Sequence, residues 1–154
     1  MMQIKTIQPM HVLCFETETT MQTLLQYVRV VAQRLYADAA KNSMEITGPV
    51  YWLYQGADGQ PDTPFSLTIA IPVTPGPSIP SDSEFRLKEL DSFHCLTAQH
   101  LGNWGSLGET YGALISEIQS QNLQMNGLTR EIYLNMDFGN PERNITEVQI
   151  GIIP

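Results

Sequence analysis

Cysteine is scarce in this chain. Cys14 and Cys95 are the only two, 81 positions apart, a spacing that makes neither a disulfide framework nor a close pair of zinc ligands. Both are expected to be reduced and buried. Positive charge is also in short supply: 8 Lys and Arg stand against 16 Asp and Glu in 154 residues, a formal net charge of −8. The basic residues are scattered, so no cluster exists to release counterions from a phosphate backbone, and direct nucleic-acid binding is not expected. Apolar runs are only a few residues long, far from the roughly 20 that cross a bilayer, so no membrane partner is expected either. Met1 to Pro9 hold no apolar segment behind a basic patch, which argues against an export leader and for a cytoplasmic location. His11, His94 and His100 do not combine with the acids at metal-ligand spacings, and no Gly-x-Ser-x-Gly elbow is present. Gly102, Gly105 and Gly108 fit no phosphate loop, and no Lys follows them. No metal and no cofactor is therefore expected.

What the chain does have is enough apolar material for a core, with 42% hydrophobic residues at a length that hides roughly two thirds of the unfolded surface. The clearest punctuation is a run with Pro72, Pro75, Pro77 and Pro80, which fixes backbone angles, removes donors and reads as an extended linker over about 72–83. It divides a single domain, 1–154, into a first repeat of about 9–73 and a second of about 84–154. In the first, His11 to Glu16 reads as a strand. Leu24, Val28, Val31, Ala32, Leu35 and Ala39 then form the stripe of a helix ending near Asn42. A strand from Gly48 and Pro49 to Gln55 follows, and Phe65 to Val73 alternates so that Phe65, Leu67, Ile69, Ile71 and Val73 share a face. The second half repeats the order. Phe85 to His100 reads as strand broken near Asp91, Gly102 to Ser106 turns, and Leu107, Tyr111, Leu114, Ile115 and Ile118 mark a helix. Strands Leu128 to Met136 and Ile145 to Ile153 close the chain around a turn at Gly139, Asn140 and Pro141.

A shift of 79 residues pairs Gly48 with Gly127, Leu53 with Ile132, Tyr54 with Tyr133, Ile69 with Val148, Ile71 with Ile150 and Val73 with Ile152. The expected fold is therefore α+β: duplicated β-α-β-β units with pseudo-two-fold symmetry, an antiparallel sheet with both helices on one face, and a ligand groove between the halves. Period-two alternation separates Leu128, Arg130, Ile132, Leu134 and Met136 from Thr129, Glu131, Tyr133 and Asn135. The first set is assigned to the helices, which leaves Glu131 and Tyr133 on the open side, with Trp52 and Tyr54 as their counterparts. Aromatic faces attract cations by about 0.5 to 2 kcal/mol each, and a partly desolvated carboxylate adds a charge-assisted contact. Glu131 among Trp52, Tyr54 and Tyr133 thus suits a lipophilic cation. Trp104, in the turn before the second helix, is expected to cap the groove. His100 and Tyr111, beside that turn and on that helix, complete the candidate ligand-binding set.

His100, Gly102, Trp104, Leu107, Tyr111 and Leu114, then Gly127, Glu131 and Tyr133, then the apolar ending Ile150, Ile152 and Pro154 resemble the gyrase-inhibitor-like small-molecule-binding domain. That family includes the effector-binding domains of multidrug-responsive transcription activators. The resemblance spans almost the whole chain and implies a duplicated β-α-β-β fold with a pocket whose central acid, Glu131 here, receives cationic aromatic ligands. Family members commonly have Gly-Pro-Tyr before the second helix, where this chain has Gly102, Asn103 and Trp104. A helix-turn-helix region precedes the domain in the activators. Here the first strand is placed near His11, so a stand-alone binder is expected, with regulation only through a separate partner. Some stand-alone members are hydrolases that open strained cyclopropane-bearing natural products, which would make Glu131 a catalytic proton shuttle. A protein-interaction module, such as a topoisomerase inhibitor, is the third class.

Overall fold

Alternating apolar segments become strands and the two amphipathic segments become helices in the computed structural model, which describes residues 1–154. In chain order these are β1 Gln3–Ile7, β2 Met10–Thr19, α1 Val30–Lys41, β3 Tyr51–Gln55, β4 Phe65–Pro72, β5 Arg86–Leu90, β6 Phe93–Leu101, α2 Leu107–Ser120, β7 Met125–Asn135 and β8 Ile145–Ile152. They fall into two compact units, a first of residues 9–91 and a second of residues 1–8 with 92–154. The first unit runs β3-β4-β2-β5 with α1 against β2 and β4, and the second runs β1-β6-β8-β7 with α2 against β6 and β8. The strand pairs within each are antiparallel. The fold is α+β, with the β-α-β-β element duplicated.

Strand register carries the duplication. Trp52 lies opposite Ile69 and Tyr54 opposite Leu67 in the first unit, while Glu131 lies opposite Val148 and Tyr133 opposite Thr146 in the second. Every one of these residues is displaced by the same 79 positions. The leading strands match instead at a shift of 83, with Leu13 opposite Ile71 and Leu96 opposite Ile150. The helical crossover of the second repeat is therefore four residues shorter.

Three features depart from the sequence reading. β1, which was not anticipated, pairs with β6, although it precedes β2; β5, which precedes β6, pairs with β2. Each repeat's leading strand is thus flanked by the strand that precedes the other, and the chain changes unit at 91/92 rather than in the proline-rich stretch. Second, α1 begins at Val30, not in the low twenties. Arg29 has φ +69°, and the Val30 N–H reaches back to Val28 O at 2.7 Å, closing a tight γ-turn that separates a short 3-10 turn at Leu24–Tyr27 from the helix. Only Val31, Leu35 and Ala39 of the expected stripe are buried within α1.

The third departure concerns faces. Residues opposed in an antiparallel ladder share a side of the sheet. The second unit therefore presents three rows across β6, β8 and β7: Leu96, Ile150 and Thr129; Ala98, Val148 and Glu131; His100, Thr146 and Tyr133. Leu96, Val148, Ile150 and Ile152 pack with Leu114 and Ile118 of α2, each such burial contributing about 1.5–3 kcal/mol. Glu131 and Tyr133 thus lie on the face that carries the helix, opposite to the assignment made from alternation. Arg130 and Ile132 lie on the other face, which is buried too. There the Arg130 guanidinium sits 4.1 Å over the Phe93 ring, and Glu147 accepts from Lys5 (2.9 Å), Thr97 (3.0 Å) and Gln149 (2.7 Å). Burial pushes the Glu147 carboxyl up, but these bonds and the Lys5 charge outweigh it and hold it below the usual glutamate range.

In the first unit, Val12, Cys14, Ala70 and Leu90 cluster on one side with Tyr51 and Leu53. Leu13, Leu67, Ile69 and Ile71 are fully buried on the other. Trp52 and Tyr54 belong with the second set, as their register partners Ile69 and Leu67 require.

Candidate functional site

Glu131 is only 5% exposed. A carboxylate withdrawn from water at this depth costs several kcal/mol unless donors reach it, and two phenols do. Tyr133, two residues along β7 and so on the same face, donates to Oε1 at 2.5 Å, and Tyr111 of α2 donates to Oε2. Charge-assisted bonds of this kind contribute about 1.5–3 kcal/mol each. Helix and strand are thereby tied through the acid, since Tyr111 lies one turn before the core residue Leu114 and also packs against the apolar cluster.

Trp104 stands over the last of the three rows. Its indole Nε1–H donates to Thr146 Oγ1 at 3.0 Å. Its ring meets Tyr133 at a centroid distance of 5.6 Å and Phe138 at 5.8 Å, both near perpendicular at 75° and 74°, the edge-to-face arrangement that aromatic quadrupoles favour. A tight connection makes this placement reachable. Gly102 has φ +102° and its N–H donates to Asn144 O at 2.8 Å, a backbone conformation side chains disfavour. The Asn103 side chain then accepts from Gly105 N at 2.7 Å, capping the short 3-10 turn Trp104–Ser106 that leads into α2.

His100 serves that turn. Nε2 lies 2.9 Å from the Asn103 carbonyl, which can only accept, so this nitrogen carries the proton and donates; Nδ1 accepts from Thr110 Oγ1 at 2.8 Å. Ser106 Oγ also donates to the Asn103 carbonyl at 3.0 Å. The histidine, taken from its sequence position as a ligand contact, spends one ring nitrogen on the segment that presents Trp104 and the other on the first turn of α2.

Of the residues singled out in the sequence, the structure brings together Glu131, Tyr133, Tyr111 and Trp104, with His100 supporting them. Trp52 and Tyr54 are in the first unit, 5% and 7% exposed, where their rings lie 6.4 Å apart and Tyr54 meets Phe65 at 5.7 Å. Thr146, Thr110 and Phe138 were missed. The 79-residue shift makes Thr146 only the counterpart of Leu67, and it is the β7–β8 register that sets it opposite Tyr133; nothing local marks Phe138, which sits in the β7–β8 turn. No group of three or more His, Cys, Asp or Glu side chains is arranged to hold a metal ion, and no helix is long and apolar enough to cross a membrane.

A duplicated β-α-β-β fold with a buried acid bonded by two tyrosine hydroxyls invites comparison with known proteins. The sequence matches the GyrI-like small molecule binding domain over residues 1–153. The chain belongs to this GyrI-like family. Among curated proteins, none matches significantly. Solved structures with the same fold include the EcmrR C-terminal domain (14% identity, TM-score 0.76, covering 99% of this chain and 97% of that one). They also include SAV2435 bound to tetraphenylphosphonium (15%, 0.66, 99% and 94%) and a hydrolase encoded by lin2189 from Listeria innocua (15%, 0.68, 99% and 91%). In the EcmrR–DNA complex the GyrI-like chain described here corresponds to 57% of the EcmrR chain (14%, 0.78, 99% of this chain). Identities this low establish a common fold.

Proposed function

We propose that this GyrI-like domain binds lipophilic cations carrying aromatic rings, with Glu131 as the charge partner and Tyr111, Tyr133 and Trp104 as the contact rings. The observation that carries the reading is a carboxylate at 5% exposure held by two tyrosine hydroxyls, one of them on a ring that an indole meets edge-on. Phenol donors keep the acid in place and bring no counter-charge, so an arriving cation gains both the carboxylate and ring faces in a site from which water is largely excluded. A fold relative carrying tetraphenylphosphonium supports the ligand class. Titrating tetraphenylphosphonium and the neutral triphenylphosphine oxide into wild type and Glu131→Gln separates charge from shape. The substitution is expected to weaken the phosphonium by about tenfold or more and the neutral compound by less than about twofold. Equal phosphonium affinity in the two proteins overturns the reading.

The Tyr111–Glu131 pair also favours a second reading, in which the carboxylate and phenol relay a proton to or from a reactive small molecule while water adds to it. Fold relatives include a protein named a hydrolase. Incubating the protein with a cyclopropane-bearing electrophile should then yield a product heavier by one water, absent with Glu131→Gln; an unchanged mass spectrum overturns it.

A further inference from the structure

The aromatic groups around Glu131 extend outward in a definite order. Tyr133 touches the acid, Trp104 touches Tyr133, and Phe138 touches Trp104, with ring centroids 5.6 Å and 5.8 Å apart at the last two steps. Exposure rises along the same path, from Glu131 at 5% to Phe138 at 42%. The outermost ring is held on a turn that has little freedom. Asp137 N–H donates to the buried Asn144 side chain at 2.7 Å, and the Asp137 carboxylate accepts from the N–H groups of Gly139 and Asn140, both at 2.9 Å. Asn144 also receives Gly102 N–H through its carbonyl. One residue, through its side chain and its backbone carbonyl, therefore ties the turn bearing Phe138 to the turn leading to Trp104. A large ring left two-fifths in water on a backbone braced at this many points is held at a fixed place beside Trp104 with part of its face open to a ligand.

We propose that Phe138 is the outer specificity residue of the Glu131 site, the ring that selects extended multi-ring cations over compact ones. The inference rests on the reading of Glu131 as charge partner and adds a selection among such cations by the number of their rings. A cation with its charge at Glu131 meets Tyr133 and Trp104 whatever its size, whereas only a ligand with several rings reaches Phe138.

The test measures binding of tetraphenylphosphonium and of benzyltrimethylammonium to wild type, Phe138→Ala, Phe138→Trp and Glu131→Gln, with thermal melts as a check on folding. Phe138→Ala should weaken tetraphenylphosphonium by roughly three- to tenfold, a loss at least about threefold larger than that for benzyltrimethylammonium, and Phe138→Trp should restore most of it. Glu131→Gln should weaken both cations. If Phe138→Ala lowers both affinities alike, or lowers neither while Glu131→Gln lowers both, the role of Phe138 is overturned and the charge reading stands. If Glu131→Gln leaves both unchanged, or tetraphenylphosphonium does not bind wild type, the charge reading falls and this inference with it.

Discussion

Strands β3 and β7 hold the same place in their repeats and carry opposite chemistry. Trp52 opposite Ile69 and Glu131 opposite Val148 are related by one register, yet one position adds a large apolar ring and the other a carboxylate with two tyrosine donors. Tyr54 and Tyr133, the next pair on that face, are the same residue in different employment: Tyr54 packs its ring against Phe65, while Tyr133 donates to Glu131 and stacks edge-on with Trp104. The two repeats present equivalent platforms, and the residues at matching positions give them different chemistry. A buried acid destabilises a platform unless donors reach it, and here the Tyr111 and Tyr133 hydroxyls do so.

The largest expected effects test whether the platforms remain equivalent beneath these differences. Leu35 of α1 and Leu114 of α2 are both fully buried. Leu35→Ala and Leu114→Ala should each cost about 2–5 kcal/mol, the range for truncating a buried leucine, read as a shift in the urea midpoint. Matching losses in one cooperative transition mean that the two units unfold together. A separate early transition in one variant would show that a unit melts alone, and the comparison would then be between two independently stable bodies.

How much of this was readable beforehand follows from what a one-dimensional pattern contains. Alternation named correctly which residues share a side, Glu131 with Tyr133 and Trp52 with Tyr54, and the 79-residue shift held through the strand register. It could not say which side receives the helix. That assignment assumed one buried face, whereas Arg130, Ile132, Thr97 and Gln149 are buried on the other, so polarity did not separate the two. Pairing of β1 with β6 and of β5 with β2 is non-local and leaves no periodic trace. The late start of α1 depends on a positive φ at Arg29, a residue with no sequence mark for that conformation. Phe138 becomes a site neighbour only through the turn between β7 and β8 and the indole of Trp104, and Thr146 through the strand register and that same indole.

Smaller effects are expected from the two thiols, one in each unit. Burial is the main cause that pushes Cys14 up to about 11, with the Glu16 charge adding to it and Lys88 and Arg86 opposing it. Burial likewise pushes Cys95 up to about 11, against Lys5 and Arg130 and with Glu147. A thiol whose pKa is higher folded than unfolded holds its proton more tightly in the native state. Its contribution is therefore complete below the ordinary value near 9 and is lost as pH rises toward 11. Stability should fall across that alkaline window, and Cys14→Ala with Cys95→Ala should flatten the fall. A thiol reagent at pH 8 should label neither residue until denaturant is added. Labelling of one alone in the native protein would show that its unit opens more readily than the other.

The finest expected difference concerns Thr146, whose counterpart in the first repeat is the apolar Leu67. Thr146→Val makes the second platform resemble the first at this point and removes the acceptor for Trp104 Nε1. Trp104 is only half-buried, so water can replace the lost partner, and the stability cost should be about 0.5–1.5 kcal/mol. The functional cost should be larger in proportion. An indole freed from Thr146 no longer stands at a fixed angle to Tyr133 and Phe138, so tetraphenylphosphonium affinity should fall severalfold, by roughly the free energy of one aromatic contact. Thr146→Ser, which keeps the hydroxyl, should retain most of that affinity. If valine and serine bind the cation equally well, the orientation of Trp104 does not depend on this bond, and Phe138 and Tyr133 alone set its angle.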